Sequence, residues 1–363
     1  MRPYYRPDID GLRALSAVAV VLFHAHVAGF GGGFVGVDVF FVISGYLITQ
    51  VLIASSDQPL RRRLISFYLR RCRRVLPALL LCLIAVTACA TLVLNRPDLA
   101  IYGRYLSFTS VLLTNVAAWS DPGGSWPALI HLWTIAVEEQ FYLVYPVLLL
   151  AAWRQPSHPP VLLLGLIAAA SLAYSAWVSY TAPLAGFYST PTRIWELLIG
   201  AVLALTAWKI QNRIAAELLA ASSLLVIAAA VCVYWPTMRY PGVNALPVCL
   251  AAAGLLATGR DHVTWTMRLL SIRPLVFTGL ISYSLYLWHA AILSLFRSWH
   301  GGPPTGSQTA VLIGVIWVLA VVSWRAVEKP VRSGSLLRSN RAFLGLAATL
   351  NLALGVTGLL LWK

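Results

Sequence analysis

The chain has 363 residues, 59% hydrophobic and only 11% charged, with a mean hydropathy of +0.77. Soluble domains carry about 25% charged residues, so a water-facing globule of this size is excluded. The formal net charge of +15 would point to nucleic acid in a soluble chain, but here the distribution of basic residues described below accounts for it, and no nucleic-acid partner is expected.

Apolar runs near the roughly 20 residues that a helix needs to cross a bilayer lie at 11–28, 35–54, 75–94, 131–152, 160–178, 192–208, 215–234, 242–259, 275–296, 308–326 and 342–362. They predict an all-α integral membrane fold, a polytopic bundle of about 10–11 transmembrane helices. The segment 104–118 holds Ser107, Thr109, Ser110, Thr114 and Asn115, polar enough for a buried or re-entrant helix. With that segment non-spanning and the N-terminus inside, 21 of the 27 Lys and Arg fall on inner loops and ends. The positive-inside bias therefore predicts a cytoplasmic N-terminus and an outer C-terminus. The lead MRPYYRPDIDGLR lacks a convincing cleavage site after its apolar run, so no secretory signal is expected. The five cysteines (72, 82, 89, 232, 249) show neither metal spacing nor a disulfide framework. No internal repeat is visible, which weighs against a transporter built from inverted halves. Turn-rich sequence (SDPGGSWP, 120–127) closes the longest outer connection, 95–130.

The first span carries the strongest chemical signal. Arg13 and His24 are eleven residues apart, about three helical turns, so they share a face roughly 16 Å apart along the axis. Asp10 lies within roughly 40° of that face and His26 nearly opposite His24. Ionisable side chains in a span face a bundle interior or a wet cavity, so an acid, a cation and a titratable base on one stripe read as a site. In the second span, Ser44 and Gly45 suit either small-residue packing or a cavity lining.

The basic stretch 61–77 contains the pairs Arg70/Arg73 and Arg71/Arg74 ahead of Pro77. It suits anionic lipid headgroups or, because guanidinium binds phosphate oxygens bidentately, a cytosolic ligand with several phosphates. His131 and Glu138 stand two turns apart in HLWTIAVEEQFYLVYP, with Glu139 and Gln140 pointing elsewhere. Glu138 is expected at a depth similar to that of His24, where a carboxylate orients an imidazole base. Arg193 and Glu196, three apart, are expected to pair. His289 sits among Ser282, Tyr283, Ser284 and Tyr286, with packing and substrate contact both open, and Glu328–Lys329–Pro330 reads as a structural stop.

In this order and spacing the blocks resemble the acyltransferase-3 family of bacterial membrane O-acyltransferases that modify cell-surface glycans. They are Arg13-x10-His24, FVGVDVFFVISGYLIT (34–49), FYLRRCRRVLP (67–77), HLWTIAVEEQFYLVYP (131–146), RIWELLIGA (193–201), ISYSLYLWH (281–289) and VEKPVR (327–332). The resemblance implies an acyltransferase domain over 1–335, with 336–363 an additional C-terminal transmembrane helix and no soluble domain. It implies His24 as catalytic histidine, Arg13 as its motif partner and Glu138 as a catalytic carboxylate. Arg70, Arg71, Arg73 and Arg74 would handle a cytoplasmic acyl donor, acetyl-CoA, as co-substrate, with no metal or redox cofactor. Asp10, Ser44, Gly45, His131, Glu139, Arg193, Glu196 and His289 would support the cavity. The expected partners are a surface-glycan acceptor and membrane lipid, and the expected location is the bacterial cytoplasmic membrane. The first block is most similar to members with an added outer SGNH-type domain; here the chain stops at Lys363, so it is expected to work alone, with a separate SGNH-type partner, or as part of a longer protein. The alternatives are a proton-coupled transporter of an acylated or phosphorylated metabolite and a catalytically silent scaffold.

Overall fold

A computed structural model describes residues 5–55, 58–121, 127–153, 160–206 and 209–363. Arg2, Arg154, residues 207–208 of the sixth expected span and residues 122–126 of the SDPGGSWP turn lie outside the described residues. The described residues are helical with no strand: α1 (Pro7–His24), α2 (Gly36–Ile53), α3 (Leu60–Val93), α4 (Arg96–Ser110), α5 (Thr114–Trp119), α6 (Trp133–Ala152), α7 (Val161–Thr181) and α8 (Pro183–Tyr188). There follow α9 (Ile194–Leu205), α10 (Arg213–Val233), α11 (Leu246–Asp261), α12 (Trp265–Leu270), α13 (Arg273–His300), α14 (Gly306–Ser323), α15 (Lys329–Ser333) and α16 (Asn340–Trp362). Among the described residues nine helices are long and apolar enough to cross a membrane. The other two expected spans are also helical: α1 carries Asp8, Asp10 and Arg13, and α9 has only 12 residues. This is a multi-pass, all-α membrane protein.

The chain divides into two compact units, Met1–Leu64 with Val137–Leu280, and Ile65–Ala136 with Ile281–Lys363. In the first, α2 and α9 approach to backbone contact. A β-carbon on Gly45 would fall 1.8 Å from the Leu197 carbonyl oxygen, and one on Gly200 would fall 2.0 Å from that of Val42. Only glycine permits this crossing. Gly45 is therefore a packing residue. Val39, Val42, Tyr46, Trp195, Val248 and Leu255 fill the apolar core around it.

In the same unit α2 and the body of α6 run parallel. Ser44 bonds to Glu138, and one to two turns further on Thr49 bonds to Tyr145, so residue numbers rise together. Two membrane-crossing helices run parallel only if the chain crosses an odd number of times between them. One crossing (α3) satisfies this; a second full crossing by 104–118 would make α2 and α6 antiparallel.

The second unit shows why 104–118 does not cross. Helix α4 runs antiparallel to α16: Gly103 lies against Gly358, and Asn351 Nδ2 donates to the Ser110 carbonyl at 2.8 Å. Asn351 is the midpoint of α16, so α4 stops about half-way along it. The chain then turns through Leu112 (φ 59°) into α5. Backbone that ends at mid-depth is tolerated only inside protein or against water. Thr114 donates to Thr109 at 2.9 Å, and Ser107, Thr109, Thr114 and Asn115 are all buried. The α4–α5 hairpin thus turns back half-way along α16, the geometry expected of a re-entrant segment.

The basic stretch is not a loop before a span. Residues 60–93 form one continuous helix with Pro77 inside it, about 51 Å long, well beyond the ~30 Å hydrocarbon thickness. All its arginines occupy the half before Val75. Tyr283 donates to the Val75 carbonyl at 3.0 Å, next to the ladder that Pro77 interrupts.

Candidate active site

His24 is the last residue of α1, half-buried, with its ring edge-to-face on Phe23 at 4.9 Å. The helix stops there, so the expected span to residue 28 is too long, and His26 sits in the following turn at φ 53° rather than on an opposite helical face. At the other end of α1, Arg13 Nη1 pairs with Asp10 at 3.4 Å, and Asp10 also accepts from the Tyr5 hydroxyl at 2.9 Å. Burial, then the Asp10 carboxylate beside it, push the Tyr5 phenol up to about 12, so it remains a donor. Helix α1 thus carries the charged pair near its start and the imidazole at its last residue.

Glu138 Oε1 accepts from Ser44 Oγ at 2.7 Å. This bond ties a half-buried carboxylate to a hydroxyl on a different helix. Glu139 is half-buried. Gln140 takes a hydrogen bond from the Thr190 hydroxyl. His131 lies in the 3-10 turn Ile130–Leu132 ahead of α6, so its seven-residue spacing from Glu138 does not run along one helix. Its Nε2 is 3.0 Å from the Leu287 carbonyl, and its ring is 5.3 Å from that of His289. Tyr286 donates to the His131 carbonyl at 2.6 Å and accepts from Thr134 at 2.7 Å, while His289 Nδ1 lies 2.6 Å from the Tyr286 carbonyl. His289 is therefore a tied-down core histidine of the second unit. Glu328 is more than a stop: it is 2% exposed and accepts from Ser284 at 2.9 Å.

Arg193 and Glu196 do pair, at 2.8 Å, but the pair belongs to a larger network that sequence reading missed. Arg193 Nη1 is also 2.8 Å from Asp38 Oδ1, and the Tyr240 hydroxyl donates to Asp38 Oδ2 at 2.5 Å. All four side chains are buried. A carboxylate inside GVDVFFV was the available signal for Asp38, on the same reasoning that singles out His24. Ligand atoms of Asp38, Glu196 and Cys249 lie within 4.8 Å of one another. The Arg193 guanidinium already stands between the two carboxylates, where a cation would have to sit.

The arginine pairs are divided. Arg70 is exposed, and Arg71 and Arg74 are half-buried. Arg73 instead braces the segment before α16: Nη1 donates to Val331 O at 3.0 Å, Nη2 to Leu337 O at 2.9 Å, and Nε to Asn340 Oδ1 at 3.0 Å. Its guanidinium stacks 4.9 Å over Phe343. The expectation that all four arginines bind donor is revised for Arg73, whose planar fork is already filled by fixed acceptors.

The chain matches the family model described as "Acyltransferase domain" over residues 6–324. It is 31% identical to the peptidoglycan O-acetyltransferase OatA of Listeria monocytogenes, covering 93% of this chain and 58% of the relative. It is 32% identical to a Bacillus subtilis protein named "Putative peptidoglycan O-acetyltransferase YrhL", covering 94% and 57%. The chain thus spans somewhat more than half the length of these relatives. No solved structure matches it significantly. With its match running from Arg6 to Trp324 through the stripe, the arginine helix and the Ser44–Glu138 bond, the chain belongs to the acyltransferase-3 family of membrane proteins.

Proposed function

We propose that the protein is a membrane O-acetyltransferase of the bacterial cytoplasmic membrane. It would move an acetyl group from cytoplasmic acetyl-CoA to a hydroxyl of a cell-surface glycan. The observation that carries this reading is the family match over residues 6–324; the names of the relatives supply the acetyl group and the glycan class. Arg70, Arg71 and Arg74 take the donor's phosphates as charge-assisted bonds, and Arg73 holds the adjoining segment in place. His24 takes the proton of the attacking hydroxyl, or accepts the acetyl group first and passes it on. In both routes the thioester C–S bond breaks, an ester C–O bond forms, and the hydroxyl's proton balances the thiolate released as CoA thiol. In the second route an acetyl–imidazole C–N bond forms as the C–S bond breaks and is broken as the ester forms. Glu138, fixed by Ser44, is the carboxylate of the site, and the Asp10–Arg13 pair holds the inner end of the stripe.

The test uses proteoliposomes with acetyl-CoA inside and a glycan acceptor outside. Acetyl ester should appear on the acceptor, and His24→Ala should lower that rate by about 10²–10⁴-fold while the thermal midpoint in detergent holds. Full activity in His24→Ala overturns the assignment of His24. Appearance of intact donor outside, without ester, makes the protein a carrier.

A further inference from the structure

The second unit contains an open cleft that the transfer chemistry above does not use. Asp98 and Ile101 of α4, Pro127 ahead of the His131 turn, and Ser294, Arg297 and Ser298 of α13 line it. Its interior volume is about 160 Å3. It lies at the ends of α3 and α13 that the positive-inside count places outside.

The cleft is presented on a fixed frame. Asp98 stands in the first turn of α4, its backbone N–H capped by Asn95 Oδ1 at 2.9 Å. The rest of α4 is held by the hydroxyl pair Thr87–Tyr102 at 2.8 Å, by the Gly103–Gly358 approach and by Asn351 on the Ser110 carbonyl. A site on such an element keeps its geometry better than one on a free loop.

Its chemistry selects one class of ligand. One carboxylate and one guanidinium cancel in net charge, so the cleft offers directional acceptors and donors rather than a field. Asp98 faces a phosphate with the wrong sign, and four polar side chains suit no acyl tail. A carboxylate that accepts from hydroxyls, a guanidinium and two serines that donate, and an apolar wall of Ile101 and Pro127 match a pyranose ring. Such a ring has hydroxyls on its rim and C–H groups on its face. We infer that the cleft holds one neutral hexose or hexosamine ring of the acceptor, making it the acceptor subsite. This rests on the reading that the acceptor is a glycan.

The probe is a β-1,4-linked tetramer of N-acetylglucosamine, its binding to detergent-solubilised protein followed by saturation-transfer NMR. The wild type should bind saturably, and Asp98→Ala and Arg297→Ala should each weaken binding by about tenfold or more. His24→Ala should bind like the wild type. Asp98 and Arg297 are both half-buried, so Asp98→Asn and Arg297→Lys repeat the test at unchanged thermal midpoint should an alanine variant melt early. No saturable binding to the wild type, or unchanged binding in both variants, overturns the subsite. Weakened binding in a protein that makes no acetyl ester keeps the subsite and removes the transferase reading. Ester formation with an unchanged acceptor KM in both variants does the reverse.

Discussion

At the residue scale, two kinds of buried polar group need different explanations. The Ser44–Glu138 bond joins a half-buried carboxylate on one helix to a hydroxyl on another. In the Asp38–Arg193–Glu196–Tyr240 network one buried guanidinium serves two carboxylates, and a phenol serves one of them. Removing one partner from a buried ionic group strands the others, at a cost of about 3–5 kcal/mol. Arg193→Ala should therefore lower the thermal midpoint in detergent sharply and reduce the folded yield. Arg193→Lys should restore little, because a single ammonium cannot span both carboxylates as the fork does. A wild-type melting curve for Arg193→Ala would refute this structural role. The network was illegible in the sequence for a plain reason. Its key contacts join residues 155 and 202 positions apart, whereas Arg193–Glu196, three apart on the same helical turn, could be read directly.

At the element scale, hydrophobic length made nine of the eleven expected spans readable as helices long and apolar enough to cross, because a bilayer leaves apolar helices little choice. What length could not decide was whether 104–118 crosses. That answer comes from tertiary partners: an Asn351 side chain takes the Ser110 carbonyl, and α2 and α6 lie parallel. The glycines likewise differ only in what surrounds them. A β-carbon on Gly45 meets the Leu197 backbone at 1.8 Å, whereas one on Gly314 meets nothing within 4 Å. Gly45→Ala should push α2 and α9 apart and destabilise the protein by about 1–3 kcal/mol, the usual cost of overpacking. Gly314→Ala, on a helix surface, should be neutral or slightly stabilising through helix propensity. Equal thermal shifts for the two variants would show that the α2–α9 crossing does not depend on glycine.

At the scale of the whole molecule, the parallel α2–α6 pair and the half-crossing α4 constrain the count of crossings but not which side is inside. The charge count supplies that, since inner loops under the proposed orientation hold most of the 27 basic residues. The two arguments are independent and meet in one arrangement. Under the proposed orientation the Arg70–Arg74 half of α3 and the segment held by Arg73 face the cytoplasm, and the Asp98–Arg297 cleft faces outward. The connection 301–305 follows α13 and should be outside, and 334–339 precedes α16 and should be inside. With the exposed Cys89 and Cys232 changed to serine, a cysteine placed by Gly302→Cys should react with a membrane-impermeant thiol reagent in intact cells. One placed by Ser335→Cys should react only after permeabilisation. The reversed pattern would invert the molecule, moving the arginine helix away from cytosolic donor and the cleft away from any surface glycan. Labelling of both sites in intact cells would mean that an even number of crossings separates them, breaking the single crossing assigned to α14.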